Sequence, residues 1–271
     1  MKADRQTVEE MIRRYGALAV LVLLIAGNCL FTPNFLHINT LWNILLQAFS
    51  TIVISMGMTV VIATGGIDIS VGSTMALSSI VFAKLLIVNE SNFWISLSLA
   101  LLAALMFGLF NGVLIGVFKF QPIVAPLILM ISGRGIAQQF NNGVVISFYG
   151  NHYAELGTYR IGGVLPIQVV VIALVLAGTL FLVKKTVFGR FIQAVGDNEK
   201  ASGLMGINTA AVLIGSYVMC ALLAGGAAVL ETLRVCSADP NNIGNSIELD
   251  CIAAVAIGGT SMSGGKAVVV G

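Results

Sequence analysis

Runs of about twenty residues with scarcely a charge among them recur along the whole chain, and each is long enough to cross a bilayer. Charged residues make up 10% of the sequence and hydrophobic ones 58%, at a mean hydropathy of +0.98, against roughly 25% charged in an average soluble domain. In lipid no water satisfies an open N–H or C=O, so a spanning segment must be a helix or part of a closed barrel. The runs lack the alternation of barrel strands, which leaves helices. The expected fold is all-α: a polytopic membrane protein, residues 1–271 forming one transmembrane domain, a bundle of about eight or more helices with Gly-rich breaks.

The segments read as spanning or nearly so are Gly16 to Phe31, Leu41 to Thr64, Ser70 to Val88, Phe93 to Val117, Pro122 to Gln138, Pro166 to Val183, Ala210 to Leu233 and Ile247 to Ile257, the last ending early. Arg13 and Arg14 precede the first run as in a secretory signal, but no small-residue cleavage site follows, so it reads as a retained helix. With these segments alternating across the membrane, one side collects Lys2, Arg5, Arg13, Arg14, Lys119, Lys184, Lys185, Arg190 and Lys200, while the loops opposite hold Arg160 and Arg234. Basic loops stay inside the cell. The N-terminus and the loop Lys184 to Asn208 are therefore expected in the cytoplasm, with Lys84 and Arg134 snorkelling to the far interface.

The formal charge of +2 gives no footprint for nucleic acid. Cys29, Cys220, Cys236 and Cys251 show no paired spacing, so they read as small buried hydrophobes, without a disulfide framework or metal site. Gly259-Thr260-Ser261-Met262-Ser263-Gly264-Gly265-Lys266 imitates a phosphate-binding loop, yet its first glycine is misplaced, no Ser/Thr follows Lys266 and no strand precedes it. His37 and His152 stand alone in loops, and no nucleophile–base pair is visible. No cofactor and no enzymatic activity are expected.

The informative polar features lie at helix breaks. Asp68 sits in Gly65-Gly66-Ile67-Asp68-Ile69-Ser70-Val71-Gly72 between two apolar runs. A buried carboxylate at that depth costs several kcal/mol unless paired or hydrated, and the neighbouring glycines can leave helical geometry and offer N–H groups. It is either a substrate-path or gating element or an internal cap fixing a broken helix. Val61 to Gly72 is echoed by Ala254 to Gly265: an apolar helix runs into a Gly-Gly pair, then a serine and another glycine. Repeated Gly-interrupted helices point to a transport pathway, and small-residue helix packing explains them equally well. Ser246 can cap the helix that carries Glu248 and Asp250 in its first turn, where acids suit the dipole.

In the charged loop, Asp197 or Asn198 can cap a short amphipathic helix with Glu199 in its first turn and Gly206 as terminator. Such a helix is a lid on the membrane surface or a docking element for a cytoplasmic partner.

Taken together, GGIDISVG at Gly65 to Gly72, FGRFIQAVGDNEKASGLMGI at Phe188 to Ile207 and IELDCIAAVAIGGTSMSGG at Ile247 to Gly265 resemble the permease subunits of ribose-type sugar importers of the ABC class, over about Leu41 to Gly271. The resemblance implies a subunit without ATPase activity that pairs with a second permease subunit, as a homo- or heterodimer. Cytoplasmic ABC ATPase subunits drive the pair, and a periplasmic sugar-binding protein supplies it. Residues 184–208 would then be the coupling loop, with Gly189, Arg190, Ala194, Gly196, Asn198, Ala201, Gly206 and Ile207 matching the family pattern. Gly65, Gly66, Asp68, Ser70, Gly72, Gly258, Gly259 and Ser263 would shape the substrate path, with Glu248 or Asp250 as secondary candidates. Members of that family continue with further membrane segments where this chain ends at Gly271, so it is expected to lack C-terminal segments. The competing readings are an ion-coupled secondary transporter, which also uses broken helices but needs no docking loop, and a truncated, non-transporting paralogue.

Overall fold

The computed structural model describes residues 16, 19–149 and 153–270; Lys2, Arg5, Arg13, Arg14 and His152 lie outside the described residues. The chain divides into two units, Met1–Gln47 and Ala48–Gly271. The first carries α1 (Ala19–Phe31) and α2 (Ile38–Gln47). They are joined by a turn in which the Thr32 hydroxyl donates to Asn28 Oδ1 at 3.2 Å and Asn34 takes a φ of 60°.

The second unit begins with α3 (Phe49–Ala63) and α4 (Val71–Ala83), the latter prolonged by a π-helical turn over Lys84–Val88. There follow α5 (Phe93–Gly116), α6 (Val124–Phe140), α7 (Tyr153–Thr158), α8 (Ile167–Lys185), α9 (Val187–Asp197), α10 (Glu199–Leu204), α11 (Thr209–Val235) and α12 (Ile247–Ile257). Strand is confined to two-residue pieces: β1 (Ile146–Ser147) pairs antiparallel with β4 (Ser237–Ala238), and β2 (Arg160–Ile161) with β3 (Leu165–Pro166).

This is a helical membrane protein. Among the described residues four helices are long and apolar enough to span, Val71–Val88, Phe93–Gly116, Ile167–Lys185 and Thr209–Val235, and α2 with α3 supplies a fifth if the two form one broken span. The other segments drawn as spans are shorter. α6 has 17 residues and α12 has 11, about 26 Å and 17 Å of rise against a hydrocarbon core of about 30 Å. The count by this measure therefore stands at four or five. The run Leu41 to Thr64, expected as one helix, is interrupted at Ala48, where neither Gly nor Pro marks a break.

Burial sorts the long helices. The Val71–Val88 window is 78% buried and that of α11 61%, against 28% for α5 and 17% for α8, so α4 and α11 form the interior while α5 and α8 present apolar surface. α11 packs on α3, α4 and α5. Its contact with α5 rests on Ala100, Ala104, Gly108, Gly112 and Gly116, a buried stripe with one small residue every fourth position. A Cβ added to Gly108 would lie 2.7 Å from Val218 Cα, and one on Gly112 2.7 Å from Ile214 Cα. Small residues let the two backbones approach closely where lipid supplies no hydrophobic drive between helices.

Loops assigned to the same side by the sequence meet in the structure. Lys119 pairs with Glu199 at 2.5 Å on one side. On the other, β1 joins β4, and Gln138 donates to Asn241 Oδ1 at 3.0 Å. Lys84 donates to the Phe140 carbonyl at 2.5 Å, and Arg134 turns inward to the 236–246 loop, donating to the carbonyls of Pro240 (3.2 Å) and Ile243 (2.6 Å).

Candidate functional site

The sequence echo is also an echo of backbone geometry. α3 closes on Gly65 at φ +84°, whose N–H donates to Ile62 O at 2.9 Å, followed by Gly66 N–H to Val61 O at 3.3 Å. α12 closes on Gly259 at φ +85°, with Gly259 N–H to Ala256 O at 3.1 Å and Thr260 N–H to Val255 O at 3.3 Å. A left-handed residue followed by a bond reaching back five positions is the Schellman cap. Gly65, the first of its pair, and Gly259, the second of its pair, are the glycines that supply that φ, so the two caps stand one residue apart in the register of the echo.

Beyond the caps the two breaks diverge. In the first, Asp68 is 1% exposed. Its Oδ1 accepts from the Ser70 N–H at 3.0 Å, the Ser70 hydroxyl at 2.6 Å and Asn111 Nδ2 at 3.4 Å. The expectation that glycine N–H groups would satisfy this carboxylate is corrected here: the donors are Ser70 and a lone amide on α5. The Asp68–Ser70 turn sets the start of α4, since Asp locally mimics a backbone turn. Gly66 lies under the Tyr217 ring, with its Cβ position 2.5 Å from the hydroxyl. A side chain on Gly72 would strike the Gly244 carbonyl and lie 2.8 Å from Glu248 Oε2.

In the second break no helix restarts before the end of the described residues. The Thr260 hydroxyl accepts the Val268 N–H at 3.0 Å and lies 3.1 Å from its carbonyl, and Ser261 bonds Ser263 at 2.9 Å. Ser246 does not cap α12 as expected. It stands at φ 61° without a side-chain cap bond, outside the extended region from which an N-cap side chain reaches the next N–H groups. The preceding loop is ordered by Asp239: burial presses its carboxyl upward, but donors from Asn242 and Asn241 together outweigh that and hold it below its ordinary value.

The charged loop forms two helices rather than the single one expected, because Thr186 starts α9 by accepting the Gly189 N–H at 3.2 Å. Asn198 caps α10 through Ala201 N–H at 2.9 Å, and Gly206, at φ +85°, ends it with Ile207 N–H on Ser202 O at 3.1 Å. Gly189 abuts the carbonyls of Leu182 and Val183. Arg190 is exposed and Ala194 half-buried. Gly196 touches the Ala63 carbonyl and the Gly265 N–H so closely that no side chain fits, while Gly265 N–H donates to Ala63 O at 3.0 Å. The end of α3, the loop after α12 and the end of α9 thus meet at one point. At the far end of the segment Leu204 is 92% exposed and Met205 71%.

The structure therefore brings Gly65, Ser263 and Gly196 into one neighbourhood, the Ser263 carbonyl lying 3.8 Å from the Cβ position of Gly65. Gly72 sits with Glu248, and Asp250 stands exposed on α12. Gly258 lines a cavity of about 210 Å³ between α3 and α12, with Thr51, Ser55 and Thr59 spaced four apart on α3. Sequence reasoning missed Asn111, Tyr217, Leu204 and Met205. The first two were findable as lone polar groups inside long apolar helices.

The family described as "branched-chain amino acid transport system / permease component" matches residues 40–271. The chain belongs to this permease family. Ribose import permease protein RbsC of Escherichia coli K12 is 38% identical over 258 residues, covering 94% of this chain and 80% of that protein. Galactofuranose transporter permease protein YtfT of the same strain is 37% identical over 269 residues, 92% of this chain and 75% of that one. Fructose import permease protein FruF of Bifidobacterium longum is 34% identical over 269 residues, 92% and 74%. No solved structure matches. The family is one of transport permeases rather than enzymes, and the capped breaks and the α9–α10 segment both lie inside the matched residues.

Proposed function

We propose that this chain is the membrane-spanning permease subunit of an ATP-driven ABC importer that moves a monosaccharide across the bacterial inner membrane. Residues 184–208 form its docking segment for a cytoplasmic ABC ATPase. A second permease subunit completes the pathway, and a periplasmic sugar-binding protein delivers the substrate. The relatives named for ribose, galactofuranose and fructose support the substrate class. One observation carries the mechanism: the α9–α10 segment holds an exposed apolar tip at Leu204–Met205 while its middle, at Gly196 where α9 meets α10, presses on Ala63 at the end of α3 and Gly265 in the loop after α12. A push on the tip passes along α10 and across the Asn198 junction to Gly196, and so to the backbone of Ala63 and Gly265. The core is too close-packed to absorb such a displacement locally. Lys184, Lys185, Arg190 and Lys200 on this segment, and Lys119 facing it, support a cytoplasmic placement, with the N-terminus on the same side.

Reconstitution of the permease with its ATPase and binding protein in liposomes tests this reading. Labelled ribose, galactofuranose or fructose is expected to accumulate only with ATP and all components present. Accumulation by the permease alone on a sodium or proton gradient would instead identify an ion-coupled transporter.

A further inference from the structure

The cluster around Asp68 has too few donors for its acceptors. Asp68 and Asn111 are both buried, at 1% and 0% exposure, and the Asn111 amide bonds Ser70 Oγ at 2.9 Å and Asp68 Oδ1 at 3.4 Å. Asp68 Oδ2 and Asn111 Oδ1 have no hydrogen-bond partner among the described residues. Beside them the Tyr217 hydroxyl lies 3.5 Å from the Ile67 carbonyl and 3.4 Å from that of Pro122. Its one hydrogen serves at most one of them well. No lysine, arginine or histidine forms an ion pair with Asp68 among the described residues. A buried carboxylate is paired, binds a metal or gives up its charge, and orphaned acceptors in a native interior require an unseen donor or ion.

We propose that Asp68 and Asn111 bind a monovalent metal cation, held through Asp68 Oδ2 and Asn111 Oδ1, with the Tyr217 hydroxyl and the Ile67 carbonyl beside them as further oxygen donors. Every candidate ligand is oxygen, which suits a hard cation. The single carboxylate balances one positive charge. Among the described residues no group of three or more His, Cys, Asp or Glu gathers to hold a multivalent ion. The cation would sit between the capped end of α3 and the first turn of α4, tying α5 and α11 to the break. The inference stands on the buried cluster alone and does not depend on the import reading.

Thermal unfolding of the purified full chain in detergent tests it, in choline chloride against sodium, potassium and lithium chloride at equal ionic strength. Sodium or potassium is expected to raise the midpoint saturably, by about 5 °C or more at a hundredfold excess over its dissociation constant. Asp68→Asn should abolish the response. Asn111→Ala should weaken the apparent cation affinity roughly tenfold or more while leaving the carboxylate in place, and it decides the matter if Asp68→Asn does not fold. Equal midpoints in all four salts overturn the proposal. So does stabilisation that appears on acidification regardless of the cation, which would mean that a proton fills the site.

Discussion

Two helix ends in this permease carry nearly the same cap, and the chain does opposite things after them. At Gly65 it turns, buries Asp68 and starts another helix; at Gly259 it turns and runs on as loop, fastened by Thr260 to Val268. The cap is local, needing only a glycine that accepts a positive φ. The path beyond the cap depends on distant partners. Asn111 on α5 and Tyr217 on α11 surround the first break, whereas the second is fastened by hydroxyls of its own loop, Thr260, Ser261 and Ser263. A repeated motif can thus specify how a helix stops without specifying the next element, and Gly196 contacts both regions, at Ala63 before the first cap and at Gly265 after the second.

The largest expected effect comes from removing that shared contact. Gly196→Ala drives a methyl into the Ala63 carbonyl and should cost about 3 kcal/mol by overpacking, with uptake by the reconstituted complex falling at least roughly tenfold. Gly65→Ala and Gly259→Ala should each cost about 1–2 kcal/mol for a left-handed L-residue, because neither Cβ meets an atom closer than 3.8 Å. Unequal losses in thermal unfolding would break the equivalence of the caps. Thr260→Val should cost about 1 kcal/mol and loosen hydrogen exchange in the 260–268 loop alone, sharpening the contrast with the first break. The smallest effect belongs to the 236–246 loop. The Asp239 carboxyl is held below its ordinary value in the folded chain. Its contribution is therefore complete above the unfolded pKa of about 3.9 and is lost as pH falls through the lower folded value. Wild type and Asp239→Asn should differ slightly in thermal midpoint at neutral pH and converge in strong acid.

Much of this was legible in the sequence where a single residue type dictates geometry. Gly65 and Gly206 stop helices, Asn198 starts one, and the runs ending at Gly116 and Val235 are recognisable within a residue or two. The break at Ala48 was not legible, since Gln47 and Ser50 flank it without a glycine or proline to punctuate the run. α9 was hidden for a different reason: its cap is a lone Thr186 beside two lysines, a weaker signal than the Asn198 that marks α10. The amide donor to Asp68 from Asn111 lies some forty positions away on α5, and no local pattern announces a tertiary hydrogen bond. The meeting of Gly196 with both breaks is likewise a product of packing.

The central claim is that the α9–α10 segment joins an external motor to the two capped breaks. Its most direct test is co-purification of the ATPase with a permease carrying Leu204→Ser and Met205→Ser together, the two exposed side chains at the tip. Normal membrane levels of the variant with the ATPase lost from the complex and uptake abolished is the predicted result. An ATPase that stays bound, with uptake at the wild-type rate, would contradict it.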